Sequence, residues 1–476
     1  MSELKAESRE QRTGSAGAGR ARQVCASVLP AALFSAVLLL GLAGCAVDQA
    51  KEVATYRKVL DRDMPAVIVP AADEGWSLQK ALLVANKANE QLDIQGEDYL
   101  QSLIDKSRAY AAFMPTVNVG ASESFSHARG ADTHNSTSSS AGVGINLFNG
   151  FRDWNALKRA AVTVDQRRAL LLDLQESLLL NVAQTYYQVL KSEDSARVLE
   201  NSLALRHEQV RDMQARAQTG LARALDVAQA QADESSTRVS LIQAQSDARN
   251  ARATLAFLVG VPSVTGPLAD EFQVPEGAGV ADQYEQDAMA YRQDLVASRR
   301  AAEAARYSVS EAVGEYYPSI SADFNYLLYT NPLSALLWSA GVSGSMPIFS
   351  AGTIHADVRS AWSRFRQATL SLAMLEREIH EQVSIDVENL NISAEKIKEL
   401  KVGVEAAQRA FDLADQTYKL GSGTNLDRLT AQNTLLSAQL QLSSEQFNQK
   451  VFFLDALRVS GQLVDRVAKE RPAPTN

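Results

Sequence analysis

Hydrophobic and polar positions alternate with a period of two over residues 116–147. Val117, Val119, Ala121 and Phe125 alternate with Asn118, Gly120, Ser122 and Ser124. A polar, Ser-rich tip then runs through Asp132, His134 and Ser136 to Ser140, after which Val143, Ile145 and Leu147 alternate with Gly142, Gly144 and Asn146. The same alternation returns in Ile320, Ala322, Phe324 and Tyr326 against Ser319, Ser321, Asp323 and Asn325, and in Trp338, Ala340 and Val342 against Ser339, Gly341 and Ser343. Four strands are predicted, each with one apolar face and one face of small polar groups. Elsewhere the period is 3.6. A helix is predicted from an N-cap at Ser77 to about Ala112, stopped by Pro115. Two longer runs, 152–219 and 353–420, hold no proline, and the second is read as being as unbroken as the first. At 1.5 Å per residue each reaches roughly 100 Å, a compartment crossing rather than a domain core. Return helices are predicted over 222–259 and 425–459.

The chain also repeats itself. Gly220-Leu221-Ala222-Arg223-Ala224-Leu225-Asp226 aligns without a gap with Gly421-Ser422-Gly423-Thr424-Asn425-Leu426-Asp427, 201 residues later, and Gly260 aligns with Gly461. Upstream, Leu147-Phe148 falls on Ile348-Phe349, and Met114-Pro115 meets Tyr317-Pro318 after a slip of two residues. Two supersecondary modules are implied, neither able to bury its apolar face alone. The fold class expected is α+β, with long antiparallel helical hairpins and four strands. Gly220 and Gly421 end the outgoing helices. Asp226 and Asp427 stand one turn into the returns, where a carboxylate suits the helix N-terminal dipole.

The alternating strands admit two architectures. One is a sheet with its apolar face on a core and its other face in water. The other is a transmembrane barrel wall, with apolar side chains in lipid and Ser, Gly and Asn facing water. Four strands cannot close a barrel, and open edges are forbidden in lipid, so this second architecture needs strands from other copies of the chain.

The N-terminus sharpens the choice. Arg20 and Arg22 precede an apolar run, Ser27 to Leu42, closed by Leu42-Ala43-Gly44-Cys45. This reads as an export signal, and L-A-G-C resembles the lipobox of bacterial lipoproteins, with Cys45 as the acylated first residue. The organisation expected is a signal peptide over 1–44, an extended lipid-anchored tether over 45–75, a first repeat over 76–265, a second over 266–465 and a tail over 466–476. Cys25 leaves with the leader, so within one mature chain no disulfide or metal thiolate can form. By resemblance to sorted lipoproteins, Ala46 after the cysteine favours the outer membrane. The leader carries five basic and three acidic residues, so its removal takes the net charge from −9 to −11. That balance, with no basic patch, argues against nucleic acid as a partner.

Catalytic fragments are incomplete. His207-Glu208-Gln209-Val210 and His380-Glu381-Gln382-Val383 begin like a zinc H-E-x-x-H motif, but Arg211 and Ser384 stand where the second histidine belongs. His127 and His134 are read as solvated. No phosphate-binding loop, nucleophile elbow or acid–base pair is present, so no enzyme, metal or cofactor is expected beyond the lipid on Cys45.

Taken together, the opening W-S-L-Q-K-A-L with Asn86, the Phe-Met-Pro and Tyr-Pro approaches to the strands, the Leu-Phe-Asn-Gly and Ile-Phe-Ser-Ala-Gly strand exits and the two G-x(5)-D hairpins resemble the TolC-type outer-membrane factor family, over about 76–463. The resemblance implies a homotrimer with a twelve-stranded barrel and a tapering periplasmic tunnel. It implies a passive gated conduit working with a periplasmic adaptor and an inner-membrane pump, a type I secretion duct being the alternative. A non-channel coiled-coil lipoprotein is the reading from another class. Carried over residue by residue, Asp427, Tyr418 and Asp226 fall at the periplasmic gate. Gly220, Leu221, Gly421 and Ser422 become adaptor contacts, with Leu225 and Leu426 beneath them. Three converging copies of Asp427 would raise each other's pKa or recruit cations. Gly423 and Thr430 replace the arginine and second aspartate of better-known members, which leaves Arg223 or Arg428 to substitute in a latch.

Overall fold

The computed structural model describes residues 47–62, 64–65, 75–127, 129, 134–275, 277, 280–331 and 337–468. The leader, Cys45 and Asp132 lie outside them. Contacts divide the chain across the repeats. One unit comprises Arg108–Asp153 and Val313–Ile354 with the N-terminal stretch to Ala54; the other comprises Thr55–Ser107, Trp154–Ala312 and His355–Asn476.

The first unit holds a four-stranded antiparallel sheet in the order β1 (Thr116–Ser126), β2 (His134–Asn149), β3 (Ser319–Asn331), β4 (Trp338–Ser345). Its register lines up the two predicted faces. Val117, Val143, Phe324 and Ala340 form one row and Val119, Ala141, Tyr326 and Trp338 another, while Asn118, Gly142, Asn325 and Ser339 share a polar row. Small residues are needed on that polar face: a Cβ on Gly142 would come within 2.6 Å of Asn325 Oδ1 and 2.7 Å of Asn118 Oδ1. Hydroxyl pairs cross it, Ser122–Ser138, Ser319–Ser345 and Ser321–Ser343, each at 2.9 Å. The segment expected as a polar tip is instead strand. Residues 134–140 extend β2 and pair with Ser126 back to Gly120, because a neighbouring ladder satisfies backbone groups that a serine run alone would leave to water. β1 and β4 are exposed along their whole lengths, and both are free edges of this sheet.

The second unit is helical: α1 (Gln49–Leu60, whose first turns fall in the other unit), α2 (Leu78–Ala88), α3 (Glu90–Ala111), α4 (Arg152–Gln218), α5 (Ala224–Val259), α6 (Ala281–Tyr291), α7 (Gln293–Val313), α8 (Thr353–Lys419) and α9 (Asn425–Val459). Its largest core gathers Trp76, Leu82, Leu179, Tyr186, Leu255 and Leu454. The Tyr186 hydroxyl lies 2.7 Å from both Trp76 O and Ala269 O, which ties the start of α2 to the linker after α5.

Three expectations are corrected here. The tether is not extended throughout: 49–60 is helical, because Tyr56 and Leu60, one turn apart, are buried and Gln175 Nε2 donates to Leu60 O at 2.8 Å. The helix from Ser77 breaks at Asn89, whose backbone N–H closes α2 on Ala85 O and whose side chain accepts from Gln91 N at 2.9 Å to start α3. Gly403 interrupts the second run yet lies inside α8; a Cβ there would meet nothing within 4 Å, so no close contact calls for the glycine. The predicted cap at Ser77 is present, accepting from Lys80 N at 3.2 Å.

α4 and α9 run antiparallel and are joined along their length. Arg458 binds Asp173 and Ser177, Gln184 donates to Asp455 at 2.7 Å, Lys191 to Asn448 at 3.1 Å, Ser443 to Asp194, and Arg206 to Asn433. Nearer the hairpin turns the pairing is poorer. Ser202 Oγ, Arg206 Nε, Gln209 Oε1, Asn425 Nδ2, Arg428 Nε and both amide atoms of Gln432 are buried without hydrogen-bond partners. Among the described residues no helix is long and apolar enough to cross a membrane.

Candidate functional site

The hairpin turns carry the candidate residues, and both are built alike. Gly220 takes φ +78° and Gly421 φ +79°, left-handed values that end α4 and α8. In each, the next residue donates back five positions, Leu221 N to Arg216 O at 2.8 Å and Ser422 N to Thr417 O at 3.0 Å, so the last carbonyls are satisfied without a partner chain. That arrangement pushes apolar side chains outward: Leu221, Leu225, Leu420 and Leu426 are all exposed, Leu420 to 83%. Hydrogen-bonded carbonyls and bare leucines make a turn that is closed on itself yet has unspent apolar surface.

Asp226 and Asp427 occupy the third position of α5 and α9, where each accepts from the backbone N–H of its cap residue; Thr424 completes a capping box with Asp427, while Arg223 has no acceptor with which to do so. Asp226 accepts from Arg223 N at 3.2 Å and from its guanidinium at 2.8 and 3.1 Å; these bonds hold its carboxyl below the usual carboxylate range. Asp427 accepts from Thr424 N at 3.2 Å and from the Thr424 hydroxyl at 2.6 Å, which likewise lowers it. Within one chain, then, Asp427 is held ionised, in the direction opposite to that expected from convergence of three copies. The capping role read from the sequence is present at both aspartates.

Tyr418 is brought to a different set of partners. Its hydroxyl donates to Met213 Sδ at 3.3 Å, and two guanidinium centres lie over its ring, Arg428 at 4.2 Å and Arg216 at 5.2 Å from the centroid. Arg216 is held by both oxygens of Asp212 at 3.0 Å, one turn back on α4. Arg428 is 4% exposed, with Asn425 Oδ1 at 3.4 Å and Asp415 at 3.7 Å. The two arginines proposed as substitutes therefore part company: Arg223 is spent on Asp226 within its own turn, and Arg428 is packed on Tyr418. Arg216 and Met213 are invisible to local pattern, since they meet Tyr418 across about two hundred residues. The H-E fragments go to ordinary pairs, His207 with Glu234 at 3.3 Å and His380 with Glu285 at 3.0 Å.

Comparison with known proteins agrees with this architecture. The family model of outer membrane efflux proteins matches residues 104–261 and 285–451. The outer membrane efflux protein BepC of Brucella suis is 26% identical over 395 residues, 81% of this chain and 86% of its own. The outer membrane protein TolC of Escherichia coli is 23% identical over 432 residues, 84% of this chain and 86% of its own. The crystal structure of the outer membrane protein VceC of Vibrio cholerae superposes with a TM-score of 0.73 at 18% identity, over 81% of this chain and 96% of that one, a likeness of fold.

Proposed function

The chain belongs to the outer membrane efflux protein family, and we propose that three copies of it build one passive, gated duct, the outermost part of a three-component exporter. Its function is efflux at the outer membrane; the assembly and its partners are the proposed part. The observation that carries the reading is the sheet with two exposed free edges and one apolar face. In lipid such edges must pair, and β1 of one copy against β4 of the next, three times over, closes a barrel with no edge left.

The α4–α5 and α8–α9 hairpins form the periplasmic tunnel. Exposed Leu221, Leu225 and Leu426, with the open backbone at Gly220, Gly421 and Ser422, receive a periplasmic adaptor that couples the duct to an inner-membrane pump. Cys45 carries lipid that adds a second hold on the outer membrane. Asp427, Asp226 and Tyr418 line the narrow periplasmic end, where three ionised Asp427 carboxylates attract cations.

Purified protein in detergent is expected to be trimeric and to conduct ions in planar bilayers; a monomer that passes no current overturns the reading. Asp427→Ala is expected to raise single-channel conductance and weaken blockade by multivalent cations. Cys45→Ala is expected to abolish incorporation of labelled palmitate.

A further inference from the structure

Exposed apolar surface gives way to unpaired positive charge where the helical unit begins. α4 follows β2, and α7 precedes β3. Along α4, Trp154 is 50% exposed and no other large apolar side chain is exposed until Leu205; along α7 none is, and the first beyond it is Tyr316. The two helices are level here, because Arg159 Nε donates to Glu311 at 3.0 Å and the Lys158 ammonium lies 5.8 Å from the ring centroid of Tyr307. Such a change, closed by a tryptophan, is expected where a surface passes from hydrocarbon to headgroups.

Most cations beside this boundary are matched. Arg152 pairs with Glu315 at 3.3 Å and Arg159 with Glu311, while on α7 Arg299 keeps Glu376 at 3.8 Å and Arg300 keeps Glu303 at 2.8 Å. Lys158 and Arg306 pair with no carboxylate among the described residues, and both are exposed. Rings hold them instead: Lys158 Nζ is 5.1 Å from the Trp154 centroid, and the Arg306 guanidinium is 5.5 Å from that of Tyr307. Trp154 and Lys158, four residues apart, share one helix face. A ring face offsets charge but offers no lone pair, so the three N–H donors of Lys158 still want oxygen acceptors.

We propose that Trp154, Lys158 and Arg306 form a headgroup site for an anionic phospholipid of the periplasmic leaflet. The Lys158 ammonium takes the phosphodiester, Arg306 adds a second positive charge, and the indole of Trp154 lies against the glycerol and acyl ends of the same lipid. The proposal rests on the reading of β1–β4 as a wall in lipid, since only then does a headgroup layer meet the start of α4. Charge complementarity commits the face to an anion, and the tryptophan beside it to an anion that carries an apolar tail.

The test is native mass spectrometry of the full-length protein in neutral detergent, with phosphatidylglycerol or phosphatidylcholine added in equal amount. The proposed trimer is expected to retain phosphatidylglycerol in preference. Lys158→Gln is expected to lower that retention about fivefold, and the double variant with Arg306→Gln about twentyfold. Lys158→Arg is expected to keep it, and Lys401→Gln, at an exposed lysine of α8, to leave it unchanged. Equal retention of both lipids by the wild type would reduce the face to apolar surface, and a preference that survives the double variant would put the headgroup elsewhere. Displacement of the lipid by inorganic phosphate would make this a site for the free ion, and retention by monomers but not by trimers would seat a second copy here. Each of these overturns the proposal. With a wild type that conducts in planar bilayers they sink this proposal alone, whereas a wild type that neither conducts nor retains lipid sinks the wall in lipid and the headgroup site with it.

Discussion

α4 and α8 are the same length, 67 residues each, and hold matching places in the duplicated chain, yet they are used differently. α4 is buried at intervals from Val162 to Met213 by helices of its own chain. α8 buries fewer apolar side chains, Ile354, Ala361, Ile379, Val383, Val387, Leu390, Ile397 and Ala407, and leaves Trp362, Leu370, Met374, Ile385, Val402 and Leu413 exposed. At the positions matching Leu370 and Met374, α4 has Ala169, which is buried, and Asp173, which pairs with Arg458. The two copies keep one rod length, but one turns its apolar stripe to its own chain and the other leaves apolar side chains exposed, as the proposed assembly requires. Exposed apolar surface of this extent marks an interface. The largest effect expected from breaking the contrast is therefore on assembly. Leu370→Asp with Met374→Asp should convert the proposed trimer to monomers in detergent, read by light scattering; a persistent trimer would mean that α8 faces something other than a second copy.

A smaller effect separates the helices at one position. Glu176 on α4 is buried beside Arg458, and desolvation pushes its carboxyl up to about 7, against the pull of Arg458 and with added repulsion from Asp173 and Asp294; Arg292 also lowers it. The matching residue on α8, Arg377, is exposed. Because the folded chain holds the Glu176 proton more tightly than the unfolded chain does, this group favours the fold at low pH. That advantage is lost as pH rises from about 4.5 towards 7, and above 7 the buried charge costs about 3 kcal/mol. Glu176→Gln should accordingly raise the thermal midpoint at pH 8 and leave it nearly unchanged at pH 4. Arg377→Gln should shift it at neither pH. A Glu176→Gln gain of equal size at both values would show that packing, not ionisation, is responsible.

What could be read from the chain follows the range of the forces involved. The faces of β1–β4 were legible because side chains alternate with the backbone whatever lies opposite, and the register rows from Val117 to Ala340 agree. The long helices were legible through missing prolines, and the turns through Gly220 and Gly421, whose left-handed backbone suits glycine. Other features depend on distant partners. Residues 134–140 are strand because β1 lies beside them, and 49–60 is helical because Tyr56 and Leu60 find a pocket against Leu92 and Leu171. From the sequence, Arg428 is named only as a residue that could substitute in a latch, and Arg216 is not singled out. Their place over Tyr418 arises from the packing of two hairpins that no local period encodes.

The smallest contrast lies at the starts of α5 and α9, where one backbone geometry is held by two chemistries. Thr424 is an N-cap of the preferred kind: its hydroxyl accepts from Asp427 N at 3.1 Å while Asp427 binds its backbone N–H in return. At the matching position Arg223 offers no side-chain oxygen, and its guanidinium instead reaches Asp226 as an exposed ion pair. Loss of a threonine cap costs about 1 kcal/mol, whereas an exposed ion pair is screened by water and salt. Thr424→Ala should lower the thermal midpoint by a few degrees at any ionic strength. Arg223→Ala should lower it less, with the difference vanishing as salt is raised. If the two variants fall together, and salt moves neither, the two starts are energetically one motif and the difference between the turns has to lie in their outward side chains alone, Leu221 in one and Ser422 in the other.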